Sequence, residues 1–334
     1  MGRKPKILVV GSFVMDTISS TREFPEAGQT VLGLIYRTAP GGKGANQAME
    51  AQLLGAEVTM VGKVGQDAFG DRLIQSLEKV GVHTEHVLRD PDEQSAVGNV
   101  ILQEQPNGQT QNRIIVLPGA NMTITPDDVA FLKNSIKDYD MVILQLEIPM
   151  EINQIVAGYA YDAGVPVMLN PAPIAPIPHD LMRHITYLSP NETEAAGLLD
   201  CFIREEGHPV SEEAVRGIRA AMKEKGLQKI LITLGDAGAM VVTQDDVVTK
   251  PCVRGIKAID PTAAGDSFVG AFCTAVCVGL SESEALEFAN MIAAVTVSRM
   301  GAQPSLSTLM DAIQFHENAG RSVDILRKMQ KQMN

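Results

Sequence analysis

The chain has 334 residues, 45% hydrophobic and 20% charged, the balance of a soluble globular protein long enough to bury a substantial core. Its formal net charge of -12 argues against nucleic acid and anionic membrane as non-specific partners. The basic start leads into an apolar run, Ile7 to Val10, too short for a signal peptide, and no apolar stretch approaches the ~20 residues of a membrane span, so a cytoplasmic protein is expected.

Ile7 to Val10, ended by Gly11, reads as a buried first strand. From Asp16 to Pro40 polar and apolar residues mix, with turns at Pro25 and Gly28 and one or two half-exposed strands over Thr30 to Thr38. A glycine cluster, Gly41 to Gly44, leads into helical spacing from Ala45 to Leu54. A strand at Val58 to Val61 and a helix from Asp67 to Val80 follow. Val97 to Gln103 and Arg113 to Leu117 alternate as strands do, and Pro106-Asn107-Gly108 between them makes a hairpin. Thr125-Pro126-Asp127-Asp128 starts a helix, with Thr as cap, Pro at the first position and acids in the first turn.

Beyond it the order is regular. Strands are expected at Asp140 to Leu146, Val165 to Leu169, Ile185 to Leu188 and Lys229 to Leu234. Helices are expected at Met150 to Ala163, Asn191 to Leu199 and Val210 to Lys225. Ala239 to Thr243 and Val247 to Pro251 flank a turn at Gln244-Asp245-Asp246. Two long helices, Ala263 to Gly279 and Glu282 to Arg299, close the core, the second with a capping box of Ser281 and Glu284.

This alternation implies an α/β fold with a mostly parallel sheet covered on both faces, a three-layer α/β/α core. The strand-rich stretches at about 16–40 and 94–118 break the rhythm and read as two insertions that build one small β-sheet lid over the site. The core is expected to span 1–310 and a helical tail 311–334. Of Cys201, Cys252, Cys273 and Cys277 only the last two are close, one helical turn apart, too few for zinc and read as buried thiols in a reducing compartment. The six histidines form no zinc-like cluster.

The strongest chemical signal is Asp260-Pro261-Thr262-Ala263-Ala264-Gly265-Asp266, small residues just before a long apolar helix. Small side chains let backbone N–H groups approach an anion, and the helix N-terminus adds its dipole. An acid in the first turn can accept a proton from an attacking hydroxyl, as phosphoryl transfer requires. The alternative is a helix whose acid only complements the dipole. A second segment, Gly41-Gly42-Lys43-Gly44-Ala45-Asn46, is not a Walker A loop, since Arg37 stands at its first glycine and Gly44 at its Ser/Thr position. Its glycines let backbone approach a small polar ligand while Lys43 and Asn46 offer donors, unless it is only a flexible turn before a helix.

Both segments, spacing included, resemble the two signatures of the ribokinase-like (PfkB-type) family of carbohydrate kinases. The first continues through Ala48, Gly55 and Gly65, and the second through Gly270-Ala271-Phe272. Gly11-Ser12 with Asp16, Gly119-Ala120-Asn121, Asn170-Pro171-Ala172-Pro173, Pro190-Asn191-Glu192-Thr193-Glu194 and Thr233-Leu234-Gly235 match further, in order along nearly the whole chain. The glycine segment and Asn-Pro-Ala-Pro are most similar to the ribokinase branch. The resemblance implies ATP-dependent phosphorylation of the primary hydroxyl of a pentose such as ribose. Asp266 then matches the catalytic base, and Ala263, Ala264 and Gly265 the anion hole. Val14, Asp16, Gly42, Lys43, Asn46 and Glu147 match sugar-binding positions, with Asp266 among them. Asn191, Thr233, Gly235, Asp236, Gly238, Gly265 and Asn290 match positions at the nucleotide.

Glu194 lies in the segment that resembles the motif organising Mg2+, a role implied through water because Mg2+ keeps several waters. Asp260, Thr262, Thr296, Arg299, Gly301 and Ser305 match the positions that hold K+, several through backbone carbonyls. The family's lids pair into dimers, and the run Val31 to Tyr36 offers a comparable strand, so a homodimer is implied. One position departs from the ribokinase pattern. Val14 stands where an Asn usually contacts sugar hydroxyls, and deoxyribokinases, which resemble ribokinases, carry an apolar residue there. Burying an unpaired hydroxyl against Val14 costs about 1–3 kcal/mol, which points to 2-deoxyribose or a similar sugar unless Asp16 or water takes the contact. A nucleoside or hexose kinase of the same family and a non-catalytic sugar-binding protein are the rival readings.

Overall fold

Alternate residues of the first strand belong to different cores. Ile7 and Val9 join one buried apolar cluster, Leu8 and Val10 another. Met141 and Ile143 against Val142 and Leu144 divide in the same way. A strand buried on both faces has this apolar run, and it must lie at the centre of a sheet covered on both sides. A computed structural model shows that sheet and describes residues 3–104, 110–205 and 207–333.

The strands in chain order are β1 (Lys6–Val10), β2 (Val14–Thr21), β3 (Ile35–Gly41), β4 (Glu57–Gly65), β5 (His83–Asp90), β6 (Val97–Glu104), β7 (Thr110–Leu117), β8 (Met141–Gln145), β9 (Val167–Asn170), β10 (Tyr187–Leu188), β11 (Lys229–Thr233), β12 (Ala239–Val242) and β13 (Val247–Lys250). Among the described residues, nine of them form the main sheet in the order β13-β12-β11-β10-β9-β8-β1-β4-β5. It is parallel except where β11, β12 and β13 pair antiparallel. β3, β2, β6 and β7 form a separate four-stranded sheet in that order. The α/β class, the mostly parallel sheet and the small second sheet are as the sequence implies.

One face of the main sheet carries α1 (Lys43–Leu53) and α2 (Ala68–Glu78), and the short turns α3 (Pro126–Val129) and α4 (Leu132–Ser135) lie on the other. That second face is completed by α5 (Met150–Ala163), α6 (His179–His184), α7 (Glu192–Leu199) and α8 (Glu212–Lys225). The first is completed by α9 (Ala264–Cys277), α10 (Glu282–Val297), α11 (Leu309–Asn318) and α12 (Asp324–Met333). Ser281 and Glu284 form the expected capping box on α10. The last two helices bury Ile313, Leu326 and Met329 in the same cluster as β1, so residues after 310 pack into the core.

Several elements differ from their expected positions. β2 carries Thr17, Ser20 and Thr21 buried, and these polar side chains hide its strand character in the sequence. The strand expected within Thr30 to Thr38 lies at Ile35–Gly41, where it pairs with β2 from Val14↔Gly41 to Ser20↔Ile35. β5 was not expected at all. Its His, Glu, Arg and Asp residues suit an edge strand, where charge discourages pairing with other chains. The turn at Pro106-Asn107-Gly108 lies outside the described residues. Among the described residues, no helix is long and apolar enough to cross a membrane.

Candidate active site

α9 begins with no side-chain cap. Its N-cap is Ala263, at φ 61° and ψ 6°, a left-handed conformation that costs a non-glycine residue about 1 kcal/mol. A methyl group cannot accept a hydrogen bond, so the helix end presents first-turn amides, those of Gly265 and Asp266, to whatever binds there. Pro261 accepts from the Ala264 amide at 3.1 Å and fixes the turn.

Asp266, in that first turn, is 8% exposed, and both of its carboxylate oxygens are held. Asn46 Nδ2 donates to Oδ2 at 2.9 Å and Gln47 Nε2 to Oδ1 at 3.0 Å. Both donors stand on α1, which is brought alongside α9 by close approach at Gly270. A cavity of about 240 Å3 opens at this point, walled by Lys43, Asn191, Glu194, Thr233, Gly265 and Asp266 among others. Ala263, Pro261, Asn170, Ala172 and Ser189 also line it.

Lys43 lies at the start of α1, after Gly42 turns the chain at φ 96°. Burial works against its charge, but the carboxylates of Asp266, Glu147 and Glu194 outweigh that and hold its ammonium above the usual lysine range. Glu147 accepts from the Lys43 amide at 3.1 Å and from the Ser12 hydroxyl, while Ser12 Oγ accepts from the Gly44 amide at 3.2 Å. The uncapped end of α1 is thus served by an acid and a hydroxyl from two core strand ends. Burial pushes Glu147 above the usual carboxylate range against the pull of Lys43.

Asp16 reaches the same neighbourhood from β2 of the small sheet. Burial, aided by the charge of Glu147, pushes its carboxyl up to about 6. Its side chain occupies the space beside Gly98 of β6, where an added Cβ would lie 2.4 Å from Oδ1. Val14, 7% exposed, stands two residues earlier on the same strand face and lies 3.5 Å from that same Cβ position. Asn46 Oδ1 is buried and has no hydrogen-bond partner among the described residues.

The structure brings only part of the expected nucleotide set into the cavity wall. Asn191 and Thr233 line it and pair as an isolated bridge. Gly235, Asp236 and Gly238 follow β11 outside the wall, and the Asp236 side chain is exposed beside Arg204. Asn290 is not part of the wall either, and its Nδ2 donates to the Lys250 and Pro251 carbonyls. Glu194 lines it but also closes a capping box, accepting from the Asn191 amide at 2.9 Å.

Asp260, Thr262 and Gly301 come together just before the N-terminus of α9. Asp260 accepts from the Thr262 amide and hydroxyl and from the Gly301 amide, and these bonds outweigh burial to hold its carboxyl below the usual range. Thr296 donates to Ser267 Oγ at 3.0 Å, Arg299 to the Leu306 carbonyl and Ser305 to the Ala302 carbonyl. Among the described residues no group of three His, Cys, Asp or Glu side chains could hold a metal. Ser12, Gln47 and Gln145 join the site's hydrogen-bond network without being among the expected residues, although Ser12 stands in Gly11-Ser12 and Gln47 within Gly41 to Ala48.

An acid at an uncapped helix end, a lysine opposite it and a second sheet carrying another acid define a phosphotransferase-like site on a three-layer α/β fold. The family model of pfkB family carbohydrate kinases matches residues 4–309, and the chain belongs to that family. It is a carbohydrate kinase of the ribokinase-like kind. It is 37% identical to a ribokinase of Bacillus subtilis over 90% of this chain and 96% of the relative. It is 32% identical to a deoxyribokinase of Salmonella typhi over 93% of this chain and 97% of the relative. The solved structure of Arabidopsis thaliana ribokinase complexed with ribose and ATP superposes with a TM-score of 0.84 at 32% identity, covering 93% of this chain and 98% of that one.

Proposed function

We propose that the chain transfers the γ-phosphoryl group of ATP to the primary (5-) hydroxyl of a pentose. The observation that carries this is Asp266, held by two amides at the mouth of a helix whose amides have no cap. Asp266 takes the proton of the sugar hydroxyl, the freed oxygen attacks the γ-phosphorus, and the bond to the leaving ADP oxygen breaks. Ala263, Ala264 and Gly265 place the backbone against the charge on the moving group. Lys43 adds its positive charge on the same side.

Asp16 accepts sugar hydroxyls, which a carboxylate can do two at a time, and Asn46 Oδ1 supplies one further acceptor. Asn191 and Thr233 border the nucleotide. The donor set suits a hard cation only indirectly. Glu194 has one oxygen taken by its capping box, so Mg2+ would be held through water and the phosphates. The loops of Asp260, Thr262, Thr296, Arg299, Gly301 and Ser305 would hold K+ by their carbonyls and so steady the anion hole.

Val14 favours 2-deoxyribose over ribose as the acceptor, since no donor or acceptor stands at that position. We also propose that the four-stranded sheet serves as a lid and that two chains pair through it. Initial rates with Mg-ATP and K+ on ribose, 2-deoxyribose, fructose and adenosine test the reading. Activity on a pentose that falls by about 100-fold or more in Asp266→Asn supports it. Full activity of that variant would remove the base from the mechanism, and a preference for adenosine would replace the pentose by a nucleoside.

A further inference from the structure

Gln47 is fully buried one residue after Asn46, and its amide is surrounded on every side by polar partners. Its nitrogen faces two acceptors, Asp266 Oδ1 at 3.0 Å and Asn170 Oδ1 at 3.2 Å. Its oxygen accepts from Gln145 Nε2 at 2.8 Å. Asn170 is itself oriented by donating Nδ2 to the Ser189 carbonyl at 2.8 Å. An ionised Asp266 can only accept, so the amide of Gln47 has one satisfactory orientation, nitrogen toward the acid.

Gln145 reinforces that orientation from the end of β8. It is fully buried, and Asn153 Nδ2 donates to its backbone carbonyl at 2.8 Å. Its Oε1 faces the chain at Gly11 and Gly44, where an added Cβ would come within 1.9 Å and 2.9 Å. Those glycines make room for the side chain, whose Oε1 is buried with no hydrogen-bond partner among the described residues, so its orientation is set by Nε2 donating to Gln47. A flipped Gln145 would set two carbonyl oxygens against each other.

We propose that Gln47 is a positioning residue for Asp266 and that Gln145 holds its amide in the donating orientation. This rests on the reading of Asp266 as the base. Asn46 alone could bond one carboxylate oxygen but leaves the group free to turn about its Cβ–Cγ bond. The second donor, anchored through β8 and β9, stops that rotation and aims the remaining lone pairs at the cavity. A near-attack geometry depends on such restraint, and small misplacements cost large factors in rate.

The test compares Gln47→Met, Gln47→Glu and Gln145→Met with the native enzyme in steady-state kinetics across pH. Gln47→Met should lower kcat about tenfold or more while KM for sugar and ATP stays within about twofold. Gln47→Glu sets a second carboxylate against Asp266 and should move the acid limb of the kcat profile to higher pH. Gln145→Met should lower kcat by less than Gln47→Met. A kcat within about twofold of native in a folded Gln47→Met, or an acid limb unmoved in Gln47→Glu, overturns the proposal. Should Gln47→Met fail to fold, an unchanged kcat in Gln145→Met overturns it instead. Asp266→Asn separates the two readings, because its loss of activity beside unaltered Gln47 variants removes the positioning role alone.

Discussion

Asp16 sets a conflict between stability and binding at a single residue. With its carboxyl raised from its ordinary value to about 6, the folded chain holds that proton more tightly than the unfolded one. Its contribution to folding is therefore full below pH ~4 and is lost as pH rises through about 6, a cost of about 3 kcal/mol at neutral pH. Asp16→Asn should be more stable than native in urea at pH 7.5 and no more stable near pH 3.5, while losing sugar affinity. A stability gain equal at both pH values would contradict the assignment. The same ionisation should make sugar KM rise as pH falls below 6 in the native enzyme. Val14 sits on that strand two residues away, and Val14→Asn should shift the ratio of kcat/KM toward ribose over 2-deoxyribose by about 5- to 150-fold. An unchanged ratio would show that Asp16 or water already satisfies the hydroxyl.

At the scale of the element, the small sheet carries an apolar surface with nothing described on it. Ile114, Ile115, Val116 and Leu117 of β7 are each more than half exposed, and Tyr36 of β3 is 66% exposed at the opposite edge. Uncovered apolar edges of this kind invite pairing with another sheet. Light scattering of the native chain should give a dimer mass, and Ile115→Asp with Tyr36→Glu should give the monomer. A monomeric native chain at micromolar concentration would defeat lid pairing. β2 explains why this sheet was only half legible. Thr17 and Thr21 are buried there although polar, because Thr17 bonds to Asn99 across the strands and Thr21 to the Glu23 carbonyl, while the buried Ser20 Oγ has no hydrogen-bond partner among the described residues. β5 was hidden for the opposite reason, as its charged residues follow from its place at an edge.

Across the whole molecule, the last two helices are part of the fold that holds α10 in place. Leu326 and Met329 of α12 are fully buried in the cluster that also contains β1, α1 and α9. Leu326→Ala should cost about 2–5 kcal/mol, read as a lower urea midpoint with an unchanged slope. A loss under 1 kcal/mol would mean that the chain end packs loosely in solution. Because α1 and α9 share this core, their mutual register at Gly270 also depends on it, and with it the approach of Asn46 and Gln47 to Asp266.

Most of the order of strands and helices, β2 and β5 apart, and the two signature segments with the acid of the first turn were legible in the chain itself. Periodicity reports burial along one element, and small residues before an apolar helix report an open helix end. What joined these elements was decided only by the tertiary structure. The two amides on Asp266 come from residues some 220 positions away, so no local pattern encodes their aim. The same holds for Glu147, whose carboxylate caps α1 from across the sheet. It also holds for Asn290, whose Nδ2 donates to carbonyls some 40 positions away. Side-chain hydrogen bonds between distant elements depend on packing geometry, and that is fixed only when both faces of the sheet are filled.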